Sequence, residues 1–157
     1  SHRCAGPPTQ RQRLVYVADM SDPSMRQIEL TRLSSRRYEA LNSRGGTVTV
    51  AADGSADFSP VELLLVALAS CSAVDVDVMT SRRAEPDQFT VVATGRRTDD
   101  SRLEDLAVTF RLEFPAGEEG DAARARVSAA IRASHDKDCT VSRTIEAGSP
   151  VRMTAAD

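Results

Sequence analysis

The chain has no tryptophan, and aromatic residues make up only 4% of its 157 positions. A core organised around large rings is excluded, so Val, Leu, Ile and Ala must fill it. Lysine is also scarce. Of 20 basic residues only Lys137 is a lysine; the rest are arginines scattered among 23 acidic residues, and the net charge is −3. A protein that holds nucleic acid or an anionic membrane needs a basic excess or stripe, and neither is present. No unbroken apolar run approaches the roughly 18 residues of a membrane span; the longest covers residues 63–69. The first 24 residues carry no secretory h-region. No nucleic-acid partner, no membrane and a cytoplasmic location are the resulting expectations. The three cysteines, Cys4, Cys71 and Cys139, have no C-x-x-C spacing of the zinc or thioredoxin kind, and an odd number cannot all pair within one chain.

What remains is ordinary for a globular protein: 41% hydrophobic and 27% charged residues. Residues 1–24 are polar and irregular apart from "LVYVA", and they read as a mobile leader that begins with a tag remnant. Cys4 lies in this leader and is read as incidental. Residues 25–157 read as one domain. "RQIELTRL", "RRYEALN" and "TVTVAA" suggest three antiparallel strands, with "SRGG" as the turn before the third. Ser59, Pro60 and Glu62 form the S-x-x-E capping pattern of a helix running to about Arg82. Within it Val61, Leu64, Leu68 and Cys71 recur at helical spacing, whereas "AVDVDVM" alternates as a strand would. "QFTVVATGRRT" and "LAVTFRLEFPA" read as a β-hairpin and residues 121–136 as a second helix, with Ala123, Val127, Ala130 and Ile131 on its inner face. "CTVSRTIEAG" follows as a short helix or turn, and "SPVRMTAA" as a closing strand.

Two readings of the cysteines are open on chemistry alone. Cys71, on an apolar helix face, is either a small core hydrophobe with a raised pKa or a thiol meant to react. Cys139 is either a plain loop cysteine or a cap on residues 140–145, where a helix N-terminus would favour its thiolate. His135, four residues earlier, would bear on its protonation or sit alone at a helix end. Asp75, four residues after Cys71, would oppose a nearby thiolate if both were buried.

Taken together, "SPVELLLVALASCSAVDV" and "DKDCTVSRTIE", in this order and at this separation, resemble the OsmC/Ohr family (osmotically inducible protein C and organic hydroperoxide resistance proteins). The resemblance spans about residues 25–157, and "SPVELLL" is similar to the YhfA-like branch. It implies an α+β fold: an intertwined homodimer in which antiparallel sheets enclose central helices. It also implies a thiol-dependent peroxidase that reduces organic hydroperoxides or hydrogen peroxide. By the resemblance Cys71 takes the peroxidatic position and Cys139 the resolving one, with Thr140 where the family has proline. A Cys71 sulfenic acid would condense with Cys139 into a disulfide. An external dithiol, for some members a lipoyl protein, would then reduce it, and no bound cofactor or metal is implied. Arg44, in "SRGGTV", matches the arginine that lowers the thiol's pKa and orients the peroxide.

The chain departs from the pattern at one point. Where family peroxidases place a glutamate ten residues before the first cysteine, this chain has Val61, with Glu62 next to it. At about 100° per residue, Glu62 stands roughly 180° around the helix from Cys71. Its support of the arginine therefore competes with its role in the capping box. The alternative that this departure favours is a non-enzymatic dimer binding a small apolar ligand at its interface.

Overall fold

The structure, a computed structural model, describes residues 22–155. Cys4 and most of the expected leader lie outside the described residues. The elements are β1 (Ile28–Ser34), β2 (Arg37–Asn42), β3 (Thr47–Ala51), α1 (Pro60–Ser81), β4 (Gln88–Arg97), β5 (Leu103–Glu113), α2 (Glu118–Ala133), a π-helical turn (Ser134–Asp138) and α3 (Thr140–Ala147). The fold is α+β with antiparallel sheets, as the sequence implied. The chain divides after Phe58 into two compact units.

The first unit is a three-stranded meander in the order β1-β2-β3. Tyr38 pairs with Arg32 on one side and Val50 on the other. Asn42 builds the turn into β3: its side-chain oxygen accepts the N–H groups of Arg44 and Gly46, both at 2.9 Å. Gly45 between them takes φ 87°, which glycine adopts without steric cost. The alternation seen in the sequence is real, but its apolar side is not all interior. Val50 and Ala51 are buried, whereas Ile28, Leu30 and Leu33 are exposed.

The second unit is organised by α1. The Ser59 hydroxyl accepts the Glu62 N–H at 3.2 Å, and the Glu62 carboxylate accepts the Ser59 N–H at 2.7 Å. This reciprocal box satisfies two donors that the first helical turn would leave unpaired. The helix continues to Ser81, so the alternating "AVDVDVM" yields to helix propagation from a strong start. By length and composition alone α1 is apolar enough to cross a membrane, although no uninterrupted run in it is.

The buried stripe of α1 differs from the expected one. Leu68, Ser72, Val76 and Thr80, four residues apart, face inward, whereas Val61 and Leu64 are exposed. Two of these four positions are hydroxyl residues, which an apolar template passes over. Thr80 and Ser72 are tolerated inside because each donates to the carbonyl four residues back, at 2.9 and 3.2 Å.

β4 and β5 form the expected hairpin, with Val91 opposite Phe110. Phe110 also meets Phe89 edge to face, ring centres 6.4 Å apart. In α2, Glu118, Glu119 and Asp121 occupy the first turn, where the helix dipole favours acid. Its inner face carries Ala123 and Ala130, as anticipated, and also Gly120.

The helical reading of "CTVSRTIEAG" holds: α3 ends at Gly148, in the left-handed region at φ 63°. The closing strand does not form. Residues 149–155 are irregular, with Val151 and Met153 78% and 90% exposed. Alternation alone makes no strand where no neighbouring strand supplies ladder partners.

Gly120 has a sharper requirement than any apolar position in α2. A Cβ there would run into the Pro115 carbonyl, a backbone group that cannot swing aside. Gly120→Ala is expected to destabilise the protein by about 2 kcal/mol. The effect reads as a lower urea midpoint at unchanged slope.

Candidate functional site

Two cysteines far apart in sequence meet at one helix end. Cys139 follows the π-helical turn, its N–H donating to the Ser134 carbonyl at 2.8 Å. It takes the N-cap position of α3, and its sulfur accepts the Ser142 N–H at 3.4 Å. A second donor comes from α1: the Ser72 hydroxyl lies 3.4 Å from the same sulfur. Cys139 is wholly buried; Cys71 is half-buried, and both are reduced. The Cys71 thiol lies near enough to Cys139 and to the Val141 and Thr140 N–H groups for each to bear on its ionisation. The first-turn N–H groups of α3 thus converge on two sulfurs.

The turn that delivers Cys139 is tied to its surroundings. Ser134 donates its hydroxyl proton to the Asp75 carboxylate on α1 at 2.7 Å. Arg143 of α3 reaches back to the Lys137 carbonyl at 2.9 Å. Asp75 therefore anchors the turn that carries Cys139, a use the sequence did not suggest. It and Ser72 are three positions apart on α1, so neighbouring points on one face fix both ends of the turn.

The electrostatics of the two thiols differ. Burial pushes the Cys71 thiol up, the neighbouring Cys139 adds to this, and the Val141 N–H only partly offsets it. Burial also opposes the Cys139 thiolate. Hydrogen bonds from the Ser142 hydroxyl, the Ser72 hydroxyl, the Ser142 N–H and Cys71 outweigh it, so Cys139 falls below the ordinary thiol range. Donors aimed at a sulfur stabilise its charged form.

The other residues singled out from sequence stand elsewhere. Arg44 lies exposed in the β2–β3 turn of the first unit, where its backbone N–H donates to the Asn42 side-chain oxygen. Glu62 is committed to the capping box, and the bond from the Ser59 N–H holds its carboxyl below the usual range. His135 turns both ring nitrogens to carboxylates, Asp136 and Glu146, each at 2.9 Å. These two, Asp136 foremost, raise its pKa. Its ring serves a bridge between the turn and α3 rather than the sulfur of Cys139.

Ser72 and Ser142 are the site residues that the sequence reading missed. A signal for Ser142 existed: it stands three after Cys139, the spacing of an N-cap and its N3 partner. Ser72 could be found only by placing it four after Leu68 on the inner stripe. Beside these serines lies a cavity of about 260 Å³, lined by Leu68, Leu106, Val108, Phe110, Ile131 and Ile145 among others. Among the described residues no cluster of His, Cys, Asp and Glu is arranged to hold a metal ion.

Comparison with known proteins places the chain in a family. The family model described as OsmC-like protein matches residues 52–154. An uncharacterized protein of Mycobacterium tuberculosis is 31% identical over 136 residues, covering 85% of this chain and 98% of its own length. A counterpart in Mycobacterium bovis matches equally. Among solved structures, a hypothetical protein from Aquifex aeolicus VF5 superposes with a TM-score of 0.63 at 22% identity, covering 80% of this chain and 89% of that one. An OsmC like protein from Mycoplasma pneumoniae gives a TM-score of 0.63 at 16% identity, with the same coverage. The cysteine pair at the head of α3 therefore sits in a shared fold, and the chain belongs to the OsmC-like protein family.

Proposed function

We propose that this OsmC-like protein is a thiol-dependent peroxidase acting on organic hydroperoxides or hydrogen peroxide. The observation that carries the reading is the meeting of Cys71 and Cys139, both reduced, at the N-terminus of α3. The Cys71 sulfur attacks one peroxide oxygen; the S–O bond forms, the O–O bond breaks, and an alcohol or water leaves. The Cys139 sulfur then displaces hydroxide from the Cys71 sulfenic acid to form the disulfide. A nearby second thiol is what keeps a sulfenic acid from irreversible further oxidation. An external dithiol, with lipoyl proteins as one candidate class, closes the cycle. On the family resemblance alone, Arg44 is proposed to stabilise the Cys71 thiolate and to orient the peroxide.

A homodimer in the cytoplasm is part of the proposal. Its support is the apolar surface that one chain leaves open: Val61, Leu64, Val74 and Val78 on α1, and Ile28 and Leu30 on β1. Single exposed apolar residues are ordinary, but rows of them on a helix and on a strand call for a cover. Sedimentation equilibrium should give twice the 16.9 kDa chain mass. Val74→Glu should shift the equilibrium toward the monomer, and a native monomer at all concentrations would refute the dimer.

A second reading has its own observation. The cavity beside Ser72 and Ser142 suits a small apolar ligand, and Glu62 is spent on a cap. Dithiol-dependent peroxide consumption decides between the two. The native protein should consume hydroperoxide in repeated turnovers, Cys71→Ser should fall to the uncatalysed background, and Cys139→Ser should stop after about one turnover. Peptide mapping after one equivalent of peroxide should recover a Cys71–Cys139 disulfide. Equal, negligible rates for native protein and Cys71→Ser would leave the ligand-binding reading.

A further inference from the structure

We propose that the groove between the C-terminal half of α1 and α2 binds a small amphiphilic anion, a carboxylate on a short apolar chain, with Arg82 and Arg126 holding the head group. The site is separate from the thiol pair, and the proposal does not depend on the peroxidase reading. The groove is a cavity of about 260 Å³ lined by Met79, Arg82, Arg126, Ala129, Ala130 and Ala133. Its shape follows from the sequence of α2. Alanines at 129, 130 and 133 carry nothing beyond a methyl, so space that a larger side chain would fill stays open beside α1. Met79, half-buried on α1, lines the same space. Its flexible thioether adapts to the shape of what it meets.

Charge decides what the groove can take. Arg82 stands at the C-cap of α1, where the helix dipole accounts for a cation. The dipole gives no such account of Arg126, which lies in the middle of α2. Three and four positions away, where a helical ion-pair partner would stand, are Ala122, Ala123, Ala129 and Ala130. Other arginines find acids: Arg37 pairs with Asp57, Arg96 with Asp105, Arg102 with Asp100 and Arg124 with Asp121. Among the described residues neither Arg82 nor Arg126 has an acid within ion-pair reach. Two acids of these helices are engaged elsewhere, Asp75 by Ser134 and Asp121 by Arg124.

Two other cavities give the contrast. The one beside Ser72 and Ser142 also has apolar walls, but Glu146 lines it without any arginine or lysine, so it disfavours a carboxylate. The one over Lys137 and Arg143, about 290 Å³, has two cations, but Asp138 lies among them and Thr140, Thr144 and Ser149 take most of the remaining wall. Of the three, only the Arg82–Arg126 groove joins an apolar wall to cations without an acid. A guanidinium presents a planar fork of donors that matches a carboxylate, and one anion between two guanidiniums offsets their repulsion. The apolar chain then covers Met79 and the alanines. The groove has no aromatic lining, so it offers no platform on which a nucleobase could stack. Its volume falls just under the roughly 300–1,000 Å³ common for ligand pockets, so the chain is short. Both arginines are exposed, which keeps the head group near water and makes binding sensitive to salt.

The test is isothermal titration calorimetry of the full chain with octanoate at low ionic strength. Octanoate should bind saturably at one site per chain, and more weakly as salt is raised. Octanol has the chain without the charge and acetate the charge without the chain; each should bind at least about tenfold more weakly. Arg82→Gln and Arg126→Gln should each lower the octanoate affinity about tenfold, the worth of one charge-assisted hydrogen bond. Ala129→Glu changes an exposed position to another good helix former and sets an acid beside the arginines. It should abolish octanoate binding with the thermal midpoint kept. No saturable binding by the native chain, or binding that survives both Arg126→Gln and Ala129→Glu, overturns the proposal. So does a groove already filled by a second copy: Arg126→Glu would then shift sedimentation toward the monomer, and octanoate would not bind. Octanoate binding of this kind without hydroperoxide turnover would refute the peroxidase reading alone. Turnover without octanoate binding would refute this proposal alone.

Discussion

The first turn of α3 has more N–H groups than its own helix can satisfy, and this surplus organises the site. Every α-helix begins with four such donors. In most helices a serine or aspartate side chain, or water, takes them up. Here Cys139 stands at the cap, and the sulfur of Cys71 approaches from α1. Sulfur is a weak acceptor when protonated and a good one when charged. A helix start capped by sulfur is therefore better satisfied with one thiolate than with none. Structural need and chemical reactivity therefore point the same way.

Bringing a sulfur from residue 71 to a helix that starts at residue 140 is the work of α1 and the π-helical turn. A wider turn at the end of α2 redirects the chain so that Cys139 arrives buried, against Ser72. The Asp75–Ser134 bond holds that turn from below. Hydroxyl residues at positions 72 and 80 of the buried stripe look like a loss of apolar area. At Ser72 that loss is what gives the sulfur a donor on its interior side. The cavity next to it is lined by side chains of α1, β5, α2 and α3.

Much of this was legible in sequence because it follows from local rules. The capping box at Ser59 and Glu62 names its own partners. Strands β1 to β5 announce themselves by alternation, β3 also by the glycine pair before it, and the inner face of α2 follows from 3.6-residue spacing. What was not legible depends on long-range company. Val61 and Leu64 fit an apolar stripe as well as Leu68 does, yet the chain leaves them exposed; periodicity finds a face, not what covers it. Ser72 was invisible because a buried hydroxyl has no sequence signature beyond its place in a helical register. The strand expected at residues 149–155 failed for the opposite reason: its pattern was sound, but a strand is a relation between two segments. Asp75 was judged by its charge alone, and its bond to Ser134 gives that charge a structural use.

The substitution at position 61 bears on why the donors lie where they do. A glutamate ten residues before Cys71 would share its side of α1; Glu62, nine before, does not, and its carboxylate is fixed on the Ser59 N–H. Without an acid at position 61, an arginine approaching Cys71 would lack an anchor on that side of the helix. A thiolate that depended on such an arginine alone would be poorly held. The Ser72 hydroxyl and the Ser142 N–H are instead supplied from within the second unit, by elements already packed together. Fixed dipoles at this distance need no counter-charge to keep them in place, and burial strengthens them because little water competes. The cost is accessibility, since Cys139 is wholly buried.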